Sequence, residues 1–223
     1  MNIILKPNFD PLFSQYQKAI RFDNIDDAQE DATLLFNTAV QKLKPKVMLK
    51  ELFIDGHSTK DGLPTVTIES LEFTGKALRV LNDVHRVFVY IATCGNEMED
   101  FDIYSLDMLA PYWLDIVKSQ ALGVARREML AYVRDAWQVK RPLSVNPGSG
   151  NVDIWPIEQM QDLFKLLGGG GEIGVSLNGS SLMTPNKSIA GLLFTSAESD
   201  WESCAHCERE RCPSRRVPFK EKM

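Results

Sequence analysis

The sequence predicts an α+β domain, and three observations carry that prediction. Strand-like and helix-like runs are interspersed along the chain. Residues 84–93 (VHRVFVYIAT) form a dense β-branched and aromatic run that reads as a central buried strand. Hairpin-like spacings towards the C-terminal end argue for antiparallel pairing over a doubly wound parallel sheet. At 223 residues the chain is one large domain or two small ones, long enough to bury most of its apolar surface without staples.

In order, residues 1–5 read as a short strand or lead-in. Leu12, Phe13, Tyr16, Ala19 and Ile20 recur at helical spacing within 11–20. Residues 26–43 make a stronger helix, with Ala28, Ala32, Leu35, Phe36, Ala39, Val40 and Leu43 on its face, an acidic first turn and Pro45 as its stop. Residues 46–54 are a strand and 65–71 a second one, with His57 in a loop between them. Residues 75–82 are a short helix. After the central strand, 106–137 is a long helical stretch with a break expected near Pro111; Ala110, Trp113, Leu114, Val117, Ala121, Val124, Ala125 and Leu130 share its apolar face. Residues 141–153 (RPLSVNPGSGNVD) read as loop. Pro156 opens a further helix carrying Ile157, Met160, Leu163, Phe164 and Leu167, closed by the glycines at 168–171. Residues 172–177 and 188–195 are the last two strands.

Charge narrows the function classes. Lys plus Arg is 25 against 30 Asp plus Glu, a net charge of -5 and a pI of about 5.3, which argues against a general nucleic-acid binder. The balance is uneven: from Cys204 onward six basic residues face three acidic ones, and three of the four cysteines fall there too. The apolar start is cut off by Lys6, Pro7 and Asn8, too short for a signal-peptide core, and no apolar run is long enough to span a bilayer. The expected location is the cytoplasm, where clustered thiols point to metal or redox chemistry more than to structural disulfides.

Four segments depart from what a bland core needs. Asn146-Pro147-Gly148-Ser149-Gly150, followed by Asp153 and Trp155-Pro156, exposes backbone N–H groups beside a helix start. Such a loop suits a carboxylate, a phosphate or a small polar ligand, and equally suits an ordinary turn. No Lys-Ser or Lys-Thr follows, which excludes a nucleoside-triphosphate loop. The four glycines at 168–171 read as a helix-to-strand connection. Pro185 turns the chain into a strand with Ala190 and Gly191, small residues that admit a bulge, a second backbone or a flat ligand. Finally, Cys204-x2-Cys207 with Cys212 puts three thiols near one another among arginines that favour thiolates. Cys94 or His206 would complete a four-coordinate zinc site, and an iron–sulfur cluster, a redox thiol pair or free thiols in a docking tail are the other readings. The acidic run 96–100 with Asp102 reads as a cation site or a solvated helix start. There is no Ser-His-Asp arrangement, H-E-x-x-H or paired-carboxylate motif.

Read together, IATCGNEME, YWLDIVKSQALGVARREM, NPGSGNVDIWPIEQMQDLFKLL, IGVSLNGSSLMTPNKSIAGLLF and CAHCERERCPSRRVPF resemble, in order and spacing, the activation (reactivation) domain of cobalamin-dependent methionine synthase, and more closely the stand-alone proteins built around that domain. The resemblance implies a twisted, mainly antiparallel sheet flanked by helices. It divides the chain into an integral N-terminal α+β part (1–83), an activation-domain-like core (84–200) and a cysteine-rich basic tail (201–223). It implies S-adenosylmethionine in a shallow groove and cobalamin on a partner, either a corrinoid-binding protein or methionine synthase, with an electron donor protein completing reductive remethylation. Asn146, Pro147, Gly148, Ser149 and Gly150 would line the cofactor, with Arg141 offered to its carboxylate; Ser149 stands where the family has tyrosine. The alternative is a metal- or iron–sulfur-bearing electron-transfer or interaction module on the same scaffold. Cys204, Cys207, Cys212 and Cys94 would then be its ligands, with Arg215 and Arg216 as a positive docking surface.

Overall fold

A computed structural model describes residues 1–139, 141–148, 154–196, 201–207, 211–212 and 215–220. In chain order its elements are β1 (Ile3–Leu5), α1 (Phe13–Ile20), α2 (Gln29–Lys42), β2 (Lys46–Phe53), β3 (Gly56–Lys60), β4 (Leu63–Ile68), β5 (Leu71–Thr74), β6 (Arg86–Thr93), α3 (Ala110–Trp137), β7 (Leu143–Val145), α4 (Met160–Leu167), β8 (Ser176–Leu177), β9 (Met183–Thr184) and β10 (Ser188–Phe194). Five strands form one antiparallel sheet in the order β1-β2-β6-β10-β7. The apolar run of β6 is its middle strand, buried at every position after Arg86. A strand covered on both faces needs no polar alternation, which is why its sequence has none.

On one face, Phe88, Tyr90 and Ala92 pack against Ala125, Met129 and Val133 of α3. On the other, Val87, Val89 and Ile91 meet Leu163 and Phe164 of α4, together with Val66 and Phe73 of the small β3-β4-β5 sheet. The first half of α3 does different work: Trp113, Val117 and Ala121 share a cluster with Leu35, Phe36 and Ala39 of α2. One long helix thus joins a helical layer to the sheet.

Five local expectations are corrected. Pro111 does not break α3; it sits in the first turn, where a missing N–H costs nothing. His57 lies in an edge strand, β3, whose exposed polar residues carry no apolar alternation to announce it. Residues 65–71 are not one strand, because Glu69 and Ser70 both take positive φ (48° and 69°) and form the two-residue turn of a hairpin between β4 and β5. The stretch 141–153 is not all loop, since β7 pairs with β10, and 172–177 opens with a 3₁₀ turn before the two-residue β8. Among the described residues, no helix is long and apolar enough to cross a membrane.

Candidate functional site

The registers of β6, β10 and β7 build a polar corner on the α3 face of the sheet. Gly191 lies opposite Tyr90, and Leu192 opposite Val145, so Asn146, the residue after β7, falls over Gly191. A Cβ on Gly191 would collide with Asn146 Nδ2 and with the Val145 carbonyl, which is why this strand position is glycine. The small residues of β10 therefore admit a second backbone and an amide, and the space over Gly191 is filled. Asn146 Nδ2 donates to the Ala190 carbonyl at 2.6 Å and to the Tyr90 hydroxyl at 2.6 Å. A carbonyl only accepts, so these bonds fix which way the amide points. Burial pushes the Tyr90 phenol above its ordinary value, against the opposing influence of Asn146, Arg126, Ser144 and Arg216.

The loop beyond Asn146 is tied at its neck. Pro147 is buried; Gly148 has φ +68° and donates its N–H to the Trp155 carbonyl at 2.8 Å. A Cβ there would press on Ile157 at 2.9 Å. The returning strand of the neck is held in turn: Ala77 N–H bonds Ile154 O at 3.0 Å, and Trp155 Nε1 donates to Gln159 Oε1 at 3.0 Å. Gln159 also exchanges two bonds with the Thr74 backbone. Ser149, Gly150 and Asp153 lie outside the described residues. Arg141 is exposed at the far end of β7 from Asn146, with about 10 Å of strand between them, so the two are not brought together.

The C-terminal segment folds back on the sheet edge. Trp201 is buried, donates Nε1 to Ser144 O at 2.9 Å and stacks on His206 with ring centroids 4.7 Å apart. Arg215 spreads its guanidinium over the Cys204 and Cys207 carbonyls, 2.8 Å each, and Arg216 pairs with Glu202. These two arginines hold the segment together and do not stand out as a free docking surface. Cys204, Cys207 and Cys212 are half-buried.

Cys94 does not join them. It follows β6 at the opposite end, six residues past Phe88, which shares a register line with Ser144; that is about 20 Å along the strand. Its side chain sits in the apolar cluster of α1, α2 and α3, donates weakly to Gly95 O, and is pushed up to about 12 by burial. Among the described residues no three His, Cys, Asp or Glu side chains converge on a metal. The neighbouring acidic run is also spoken for. Glu97 accepts from Lys46 Nζ at 2.9 Å and from the Lys44 N–H at 3.0 Å, and Glu99 pairs with the buried Lys118. The cation-site reading of that run gives way to lysine partners.

Tyr90 and Ser144 of the polar corner escape sequence reasoning. Their only signal is a hydroxyl inside a buried strand and another in a Pro/Gly-rich stretch.

Residues 126–216 match the family model described as vitamin B12 dependent methionine synthase, activation domain. That stretch runs from the middle of α3 through β7, Asn146, α4 and β10 into the C-terminal segment, and so spans most of the polar corner. No curated protein matches the sequence. Among solved structures the chain is similar to the MetH reactivation domain bound to AdoHcy, at 13% identity and a TM-score of 0.59, over 91% of this chain and 80% of that one. The mixed helical and antiparallel fold is therefore that of the reactivation domain, and residues 126–216 are similar to the activation-domain family.

Proposed function

We propose that the chain is an activation module for a cobalamin-dependent methionine synthase or a related corrinoid methyltransferase, and that it binds S-adenosylmethionine at the loop opened by Asn146. The observation that supports this most is the family match over 126–216, which covers the loop, the strand it packs on and the helix behind it. The solved domain of like fold carries AdoHcy, a ligand of the same adenosyl class. When bound, S-adenosylmethionine would supply a methyl group to cobalamin held by the corrinoid partner, with the electron coming from a separate donor protein in the cytoplasm.

This chain's residues then have stated tasks. Asn146 is locked by Tyr90 and Ala190, Pro147 is buried, and Gly148 is tied to Trp155. These contacts fix the described neck of the loop, which lowers the ordering cost of binding there. Ser149 and Gly150 complete the loop, with a serine hydroxyl in place of an aromatic one. Isothermal calorimetry with S-adenosylmethionine and with AdoHcy tests the reading. Saturable heat with both is expected; no heat at millimolar ligand, alone or with a corrinoid protein, removes the ligand claim.

A further inference from the structure

The direction of α3 over the sheet determines which of its side chains reaches the polar corner. Near its start Lys118 pairs with Glu99, just past the end of β6; at its finish Trp137 stacks on Phe88 with centroids 4.1 Å apart, near the start of β6. The helix therefore runs against β6 and along β10. The flank that faces β10 is marked by the ion pair of Asp115 with Lys187, 2.9 Å. Eleven residues make three helical turns, so Arg126 lies on that same flank about 16 Å further on. Gly191 is four residues past Lys187, about 13 Å along its strand. This spacing brings Arg126 to the side of Tyr90 that faces Gly191: Arg126 acts electrostatically on the Tyr90 phenol, and its neighbours Ala125 and Met129 pack in one cluster with Tyr90.

Its charge is uncommitted. Leu122, Gly123, Met129 and Leu130 occupy the positions three and four residues away, so no acid on its own helix can pair with it. Among the described residues Arg126 makes no ion pair and no hydrogen bond, whereas Arg215, the other half-buried arginine described, is spent on two carbonyls. Arg127, Arg134 and Arg141 are exposed and solvated. Arg216, which also acts on Tyr90, has its charge matched by Glu202. A half-buried arginine whose charge no described group pairs is suited to receive an anion.

We propose that Arg126, above Asn146 and the Tyr90 hydroxyl, receives the α-carboxylate of an amino-acid-bearing ligand. The ligand's identity rests on the S-adenosylmethionine reading; the carboxylate site itself does not. Calorimetry on the full chain compares S-adenosylmethionine with decarboxylated S-adenosylmethionine. Arg126→Gln is expected to weaken the first about tenfold to a hundredfold and to leave the second unchanged, with Arg126→Lys recovering part of the loss. Arg127→Gln should bind both as the parent does. Equal loss of both ligands in Arg126→Gln, no loss at all, or a carboxylate-specific loss in Arg141→Gln instead would overturn the assignment. If the parent chain binds neither sulfonium, the ligand reading fails and the site is read by NMR with L-methionine and sodium acetate. The Arg126 Nε–H resonance is then expected to move in the parent with either carboxylate, and its failure to move overturns the site as well.

Discussion

The two ends of the central strand solve opposite problems. At the Cys94 end three lysines have acidic counterparts: Lys46 with Glu97, Lys118 with Glu99, and Lys187 with Asp115. The turn there is so tight that Gly95, at φ +97°, lies against Glu97 and the Lys44 backbone. Around Tyr90, towards the other end, the hydrogen bonds fix one amide and the neck of one loop, and among the described residues a half-buried arginine beside them has no ion pair or hydrogen bond. The first end is finished as structure. The second is organised yet incomplete, and a ligand is what an organised, incomplete site accommodates.

The strongest blow to the finished end is Gly95→Ala. An added Cβ would collide with Glu97 Oε2 and come within 2.7 Å of the Lys44 carbonyl, and its φ suits no residue with a side chain. The backbone cannot yield without breaking the Glu97 bonds, so the expected loss is about 3 kcal/mol or more in urea unfolding. A loss below about 1 kcal/mol would show that the turn relaxes freely and that this end is not tightly built.

Cys94 sharpens the contrast through pH. Burial raises its thiol from 9.0 in the ordinary state to about 12 in the folded one. The native state then holds a proton that the unfolded chain releases. Between about pH 9 and about 12 its contribution to stability therefore falls as pH rises, by about 1.4 kcal/mol per unit. Other groups titrate there, Tyr16 and Tyr90 among them, so the measure is the difference between the parent and Cys94→Ala. The variant should lack this part of the slope. Parallel curves would mean that the thiol is solvated and remains available as a ligand.

Long periodic or continuously apolar segments were open to reading from sequence because burial imposes a pattern on them. The helices α2, α3 and α4 and the strands β2, β6 and β10 all show it. The edge strand β3 (Gly56–Lys60) was hidden because its residues are mostly exposed, so only its ladder to β4 makes it a strand. Three-residue β7 was hidden in a stretch whose Pro, Gly, Ser and Asn content is that of a loop, and it owes its form to β10. The loop at Asn146 was marked by its glycines. Tyr90 and Arg126 were not marked at all: a tyrosine in a buried run and an arginine on an amphipathic helix are ordinary. Only the register of three strands and the direction of one helix bring them together. The same lack of local signal explains Cys94, whose place in an apolar cluster cannot be inferred from a turn of sequence.

The smallest expected effect separates the two ends most cleanly. If Arg126 is poised for a ligand and not for the fold, Arg126→Gln removes a charge that no described residue answers. The change should move stability by no more than about 0.5 kcal/mol in ligand-free urea unfolding. A small gain is as consistent as a small loss, because removing an unpaired charge offsets the packing lost along the arginine stem. Glutamine keeps part of that stem and a polar end, which makes charge the main variable. A loss above about 1.5 kcal/mol would assign Arg126 to the same structural role as Lys118 and erase the distinction between the ends. A neutral result, combined with a carboxylate-specific loss of binding, would instead locate the selectivity of the site on α3, outside the glycine-rich loop.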